Sequence, residues 1–357
     1  MIRAEIPTPA LLLDVPALDR NIARMARFFS TLPCKLRPHF KAHKTPEIAR
    51  RQLAAGSVSG LTCATVSEAE VAIAFCDRLL VANEVIGADK CARVAALARR
   101  GRLTVAADSP TGIAQLAAAA TEAGVEVGVL VDVNVGQNRC GVQPGEAALA
   151  LAKRIVASSG LRLDGVMGYE GHLQPIAERP EREAKARSAM LMLTATAELL
   201  RSNGLPCEIV SGGGTGTFDI SGTVAGVTEI QAGSYALMDT DYARLGLPFE
   251  HAFSVLGTVV SRSGRRCVVD AGHKSTTKDH GLPSVKQMPG ATVTALNDEH
   301  AVITLPEGSQ AQVGDRLELL PSHTDPTINL HDSFYAMAGD AVLARWPIAA
   351  RGYSEHR

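Results

Sequence analysis

Arg37-Pro38-His39-Phe40-Lys41-Ala42-His43-Lys44 is the stretch on which the fold turns. Read as a strand it alternates faces: Leu36, Pro38, Phe40 and Ala42 go to one side, and Arg37, His39, Lys41 and His43 to the other. One side is wholly apolar and the other wholly basic. A solvated edge strand could carry such a basic face. A barrel strand covered by helices instead turns its apolar face outward and points its special residues into the barrel. Lys41 would then emerge at the strand's C-terminal end, where barrel enzymes keep their chemistry.

Outward from this stretch, apolar runs and amphipathic helical patterns alternate. A helix with Pro16 near its first turn and Leu18, Ile22, Met25, Ala26 and Phe29 at helical spacing leads into it. The strand candidates are 35–41, 60–65, 78–82, 102–106, 126–133, 163–169, 207–211 and 228–232, with helical patterns such as 110–123, 146–158 and 182–202 between them. Alternation of this kind implies parallel strands with right-handed crossovers, and eight such units close into a (β/α)8 TIM barrel. An open doubly wound sheet is the alternative, but no Gly-x-Gly-x-x-Gly follows the first strand.

Past about Leu247 the texture changes to short β-type runs at 254–261, 266–271, 291–296, 301–305 and 316–320, separated by turn residues such as Ser263-Gly264 and Asn297-Asp298. The expected architecture is therefore α/β: a barrel over residues 16–247 and a mainly antiparallel β domain over 248–357, to which residues 1–15 contribute.

The 357-residue chain is 46% hydrophobic and 20% charged, with a formal net charge of −1, the composition of an ordinary soluble globular protein. No basic excess suggests nucleic acid. Its longest apolar runs fall far short of the ~20 residues that cross a membrane. The first residues, Met1 to Pro7, carry an acid and a proline where a signal peptide has its apolar core, so the cytoplasm is the expected location. Seven cysteines without a Cys-x-x-Cys pair suggest neither a disulfide framework nor a thiolate zinc site; small buried hydrophobes are expected.

Barrels often hold a phosphate with the loops after strands seven and eight. The seventh candidate strand ends in Ser211-Gly212-Gly213-Gly214-Thr215-Gly216 and the eighth in Gln231-Ala232-Gly233-Ser234-Tyr235. Consecutive glycines let backbone N–H groups converge on an anion, and the hydroxyls add donors; either loop could equally be a tight turn. A lysine at the mouth of strand one facing such a cup is the layout pyridoxal 5′-phosphate needs, the amine carrying the cofactor as a Schiff base and the cup its tail. Arg139, after strand five, and Tyr169, at the end of strand six, could bond the ring's polar atoms, or could serve as an ion-pair partner and a packing residue.

Pro38-His39-Phe40-Lys41-Ala42-His43-Lys44, Tyr169-Glu170-Gly171-His172, the 211–215 loop and Pro321-Ser322-His323-Thr324-Asp325-Pro326-Thr327-Ile328-Asn329-Leu330-His331-Asp332 resemble the corresponding motifs of the D-threonine aldolase / D-serine dehydratase group. These are fold-type III pyridoxal phosphate enzymes with an alanine racemase-like barrel and a C-terminal β domain. The resemblance runs over nearly the whole chain in matching order. It implies that Lys41 is the Schiff-base lysine, that His39 belongs to the cofactor site, and that Lys44 is a solvated charge.

The resemblance also implies a divalent metal on His323 and Asp325. In an extended segment residues i and i+2 share a face and could grip one cation; a lone His-x-Asp is otherwise a hydrogen-bonded pair. Dehydratases of the group typically show His-x-Cys with zinc and the aldolases His-x-Asp with a harder ion. A carboxylate suits Mn²⁺ or Mg²⁺ in preference to Zn²⁺, so Asp325 leans toward the aldolases. Some of these carry a histidine beyond the Tyr169 position as the proposed base. Six residues on, this chain has Pro175, and the nearer His172 is the candidate in its place.

The activity so implied is retro-aldol cleavage of a small D-3-hydroxy-amino acid to glycine and an aldehyde, by a homodimer with no nucleic-acid or membrane partner. The alternatives are dehydration of D-serine or a D-3-hydroxyaspartate at the same site, amino-acid racemization, which needs no metal, and a non-catalytic cofactor carrier, which needs no second domain.

Overall fold

The computed structural model describes residues 1–286 and 288–352, which form two compact units. Among the described residues one comprises Met25–Lys41 and Ala49–Gly233; the other comprises Met1–Arg24, Ala42–Ile48 and residues 234–352. Residues 353–357, the end of the expected β domain, lie outside the described residues.

The chain opens with strand β1 (Ala10–Asp14), and eight parallel strands follow: β2 (Lys35–Leu36), β3 (Leu61–Cys63), β4 (Arg78–Glu84), β5 (Arg102–Ala107), β6 (Val127–Asp132), β7 (Leu161–Gly168), β8 (Ile209–Gly212) and β9 (Glu229–Ile230). They pair in the order β2-β9-β8-β7-β6-β5-β4-β3, and the parallel bridges Leu36↔Val58 and His39↔Thr62 join the two ends of that order. The expected barrel is therefore present, each predicted strand matched by an observed one. Helices Pro110–Ala123, Glu146–Val156 and Arg179–Ser202 intervene where helical periodicity placed them. All residues of β6 are buried, as expected for a parallel strand covered on both faces.

The first strand departs from its reading. Regular pairing covers only Lys35–Leu36, and the amides of Arg37 and His39 go on to bond the carbonyls of Ile230 and Ala232. The chain then turns: Phe40–Ala42 is a 3₁₀ segment and Lys44 adopts φ 51°. Lys41 thus sits in a turn beyond the strand instead of at its tip. The apolar face is as predicted, with Leu36, Pro38, Phe40 and Ala42 all buried. On the other face Arg37 is also buried, held by two 2.7 Å hydrogen bonds to Glu229 of β9. Lys44 is not a solvated charge. It is 8% exposed, and its ammonium donates to Asn329 Oδ1 at 3.2 Å.

In the second unit β1 pairs antiparallel with β10 (Phe253–Ser263) and parallel with β16 (Ser333–Ala338). The sheet also contains β11 (Arg266–Val269), β12 (Ser284–Val285), β13 (Thr292–Leu296), β14 (Ala301–Thr304), β15 (Arg316–Leu320) and β17 (Ala341–Pro347). Its order is β13-β14-β11-β10-β1-β16-β17, with β15 on β10 and β12 on β15. All of these pairings except β1 with β16 are antiparallel, as expected. The hairpin β16–β17 was not anticipated, although Gly339-Asp340 between its strands is a two-residue hairpin signal. Ile6, Ala10, Leu12, Leu256 and Met337 form a core cluster here.

Candidate active site

The ends of the barrel strands bring several of the candidate residues together. Lys41 and His39 are half-buried, and the Lys41 amide donates to His39 Nδ1 at 3.4 Å. His39 also bridges to Thr62 and bonds Ala232, which anchors this turn to the third-strand segment and to the loop containing Gly233. Across the strand order, the Arg139 guanidinium lies 5.8 Å from the centroid of the Tyr169 ring. His172 is exposed in the 3₁₀ segment Gly171–Leu173. Gly136 in the loop after β6 has φ +113°, a conformation that favours glycine, and a β-carbon there would come within 3.1 Å of the His172 ring.

The glycine loop after β8 is buried from Ser211 through Thr217. Gly213 has φ +72°, and a β-carbon there would meet Ile230 at 2.7 Å; one on Gly214 would meet Gln174 at 2.8 Å. Three of the loop amides have protein partners: Gly213 donates to Glu170 Oε2 at 3.1 Å, Gly214 to Thr217 Oγ1 at 3.2 Å and Gly216 to Gln174 Oε1 at 2.7 Å. Glu170, fully buried, also accepts from the hydroxyls of Thr217 and Ser221 at 2.7 Å each. Of these three amides that of Gly213 meets a carboxylate of the protein itself, Glu170, which with the Thr217 and Ser221 hydroxyls fixes the loop's shape. Ser211 Oγ accepts from Gln231 Nε2 at 2.9 Å, tying the two phosphate-candidate loops together. Glu170 lies inside the Tyr169–His172 motif, yet its role depends on a loop some forty residues on, which spacing cannot show.

A second group at the strand ends escaped sequence reading. Glu84 closes β4, Asp108 follows β5 and Asp132 closes β6, with Cys140 in the loop beyond; one donor atom each of Glu84, Asp108 and Cys140 lie within 4.8 Å of one another. Burial, with a hydrogen bond and charge repulsion from Glu84 and further repulsion from Asp108, raises the Asp132 carboxyl to about 8. Cys140 is exposed, against the expectation of buried thiols, which the other six cysteines meet.

In the other unit, Ser234 opens a 3₁₀ segment, Ser234–Ala236, and Tyr235 is fully buried with its ring 5.6 Å from that of Phe249. His323 is extended (φ −146°, ψ 122°) and caps a helix, Thr324–Asn329. Asp325 therefore lies in the helix's first turn, not in an extended segment, and the shared-face reasoning for i and i+2 does not apply to it. What positions this turn is Asp239, 1% exposed, whose Oδ2 accepts from both the amide and the hydroxyl of Thr324 at 2.9 Å. Around His323 the structure gathers residues the sequence had not singled out. Its Nδ1 lies 2.5 Å from Asp279 Oδ2, and its ring stacks on that of His280 at 4.1 Å and 11°. His280 Nδ1 is in turn 3.0 Å from Asp241 Oδ2.

These residues fit the groups that the sequence resemblance implies. A lysine at the barrel mouth, a guanidinium over a phenol ring and a loop whose Gly213 and Gly214 leave no room for a β-carbon are groups that could hold a phosphorylated aromatic aldehyde. An imidazole whose Nδ1 faces a carboxylate keeps Nε2 for a cation; among the described residues the donors gathered with His323 within 4.8 Å of one another are Asp279 and His280, and Asp325 is not in that group.

Two family profiles match the chain: alanine racemase, N-terminal domain, over residues 13–241, and putative serine dehydratase domain, over residues 252–337. The chain is 41% identical to a D-threonine aldolase from Arthrobacter sp. over 98% of its length and 94% of the relative's. To a 3-hydroxy-D-aspartate aldolase from Paracoccus denitrificans it is 36% identical over 99% and 94%. Among solved structures, the D-threonine aldolase from Filomicrobium marinum matches with a TM-score of 0.95 at 41% identity, covering 98% of this chain and 96% of that one. The D-threo-3-hydroxyaspartate dehydratase from Delftia sp. matches with a TM-score of 0.90 at 29% identity, covering 99% of both. With these matches spanning barrel and β domain alike, the chain belongs to the alanine racemase N-terminal domain family, in the group of D-threonine aldolases and D-serine dehydratases.

Proposed function

We propose that the protein cleaves D-3-hydroxy-amino acids of the D-threonine type to glycine and an aldehyde, as a pyridoxal phosphate- and metal-dependent lyase. The observation that carries this is Asp325: the motif beside His323 presents a carboxylate where the group's dehydratases present a thiolate. The full-length likeness to aldolases supports it.

Bound pyridoxal phosphate supplies an electron sink for Cα, and a bound divalent cation supplies Lewis acidity at the substrate's β-oxygen. Lys41 would hold the cofactor through its amine. Arg139 and Tyr169, already in contact, orient the ring's polar edge. Ser211, Gly213, Gly214 and Thr215, with Gly233, Ser234 and Tyr235, hold the phosphate tail, the buried Glu170 keeping the first loop in shape. His323 and Asp325 hold the cation. The imidazole of His172 takes the β-hydroxyl proton as Cα–Cβ breaks. Manganese or magnesium suits the oxygen and nitrogen donors better than zinc, and the resemblance carries a homodimer with it. Seven free thiols suit a cytoplasmic location.

The likeness to a dehydratase keeps loss of water as the second reading. Incubation of the Mn²⁺-supplemented protein with D-threonine and with D-serine, with and without EDTA, separates the two. Glycine and aldehyde from D-threonine, lost with chelator, is the expected result. Ammonia and a keto acid from D-serine would assign the dehydratase reaction despite Asp325.

A further inference from the structure

The metal motif is laid against one loop contact by contact. Ser322 Oγ donates to the Gly281 carbonyl at 2.6 Å, and His323 Nδ1 faces Asp279 at 2.5 Å. Thr327 Oγ1 lies 3.2 Å from Thr277 Oγ1, and His331 Nε2 lies 2.7 Å from the Ser275 carbonyl. Read along the chain, the segment 322–331 thus meets 281–275 in reverse order, and the single imidazole–carboxylate contact in that series falls on the proposed metal ligand. The ring of His280 lies flat against His323 and is itself held by Asp241, so the plane of His323 is set by a stacked neighbour and its edge by Asp279.

Taking the metal assignment proposed above as its basis, we infer that Asp279 is the positioning residue of the cation site: by accepting the Nδ1 proton of His323 it fixes the tautomer in which Nε2 carries the lone pair. A neutral imidazole has one donor and one acceptor nitrogen, and which is which follows from the bond the other makes. An isolated surface contact between side chains this exposed (27% for His323 and 47% for Asp279) contributes little to stability. Its consequence falls instead on the ligand, because carboxylates behind metal-bound histidines change metal affinity by about 10–100-fold. Asp279 and His280 each place a donor atom within 4.8 Å of His323's, so direct ligation by Asp279 is the competing arrangement that the test must separate.

The cofactor-loaded full chain, stripped of metal with chelator and dialysed, is titrated with Mn²⁺ alone, free Mn²⁺ being read by electron paramagnetic resonance. The variants are Asp279→Ala, Asp279→Glu and His323→Ala. The expected result is loss of the site in His323→Ala, affinity weakened about 10–100-fold at unchanged stoichiometry in Asp279→Ala, and partial recovery in Asp279→Glu. Nitrogen-15 spectra of metal-free protein should show the His323 proton on Nδ1 in the parent and a mixture of tautomers in Asp279→Ala, which a merely structural role would not produce. An Asp279→Ala affinity within about twofold of the parent overturns the inference while leaving His323 as ligand. Loss in Asp279→Ala as complete as in His323→Ala also overturns it, making Asp279 a ligand. Parent affinity in His323→Ala overturns the underlying metal assignment instead.

Discussion

Two buried carboxylates in the barrel show how much a single side chain decides. Glu229 neutralises Arg37 through a bidentate pair in which both side chains are at most 8% exposed. Glu229→Gln would leave a buried guanidinium without its counter-charge, so we expect a loss of about 3–5 kcal/mol, read by urea unfolding. Asp132 acts in the opposite sense. Its carboxyl is held at about 8 against an ordinary 3.8, by burial first and then by Glu84 and Asp108, with Arg139 opposing them. Between those two values the folded protein retains a proton that the unfolded chain has lost. Stability should therefore fall as pH rises from about 4 to about 8, and level off above. Asp132→Asn keeps the shape and a donor toward Glu84 but cannot ionise. Its unfolding free energy should exceed the parent's by a margin that grows toward pH 8, on the order of 1–3 kcal/mol at the upper end, read by urea unfolding. A margin independent of pH between 5 and 8 would show that Asp132 is ionised throughout.

At the scale of elements, the loop after β8 is built on its own supports. Gly213 combines φ +72° with a β-carbon position 2.7 Å from Ile230, so Gly213→Ala should cost about 1–3 kcal/mol and displace the amide from Glu170. Equilibrium dialysis of pyridoxal phosphate should show weaker binding, in step with a lowered melting temperature. Parent-like cofactor affinity would remove Gly213 from the phosphate cup. Glu170→Ala probes the same support from below: it removes the acceptor of three hydrogen bonds in a dry interior, leaving the Gly213 amide and the Thr217 and Ser221 hydroxyls to find others. A loss of about 2–4 kcal/mol in stability is expected, with a cofactor affinity that falls further than the stability alone explains.

For the whole molecule, the β sheet cannot be assembled from the C-terminal part of the chain. Strand β1, from residues 10–14, lies between β10 and β16 with ladders on both sides, and its Leu11, Leu12 and Leu13 are each at most 3% exposed. A fragment of residues 248–357 would lack a central strand and leave two inner edges with unpaired backbone groups. We expect it to be unfolded or aggregated by circular dichroism and sedimentation, and a peptide of residues 1–15 added in trans to increase its strand content. Independent cooperative folding of the fragment alone would show that β1 is dispensable to the sheet.

Eight alternating apolar runs determined the barrel, because a parallel strand covered by helices must be apolar on its outer face and a crossover of helical length must follow it. The basic face of Arg37 to His43 and the two glycine loops marked the strand ends to which we assign the proposed chemistry, since amines and φ-permissive backbone are visible in composition and local order. Hairpin β16–β17 has only Gly339-Asp340 as its local signal. What only the tertiary structure decided is every partnership made at long range: Glu170 under the glycine loop, Asp132 beside Glu84 and Asp108, Asp239 at Thr324, Asp279 at His323. Each is a charged or hydrogen-bonding group whose meaning depends on one neighbour a few ångströms away in space and tens of residues away in sequence. Periodicity reports which face a residue takes, but the protonation, tautomer and orientation of a buried polar group are set by the atom it meets.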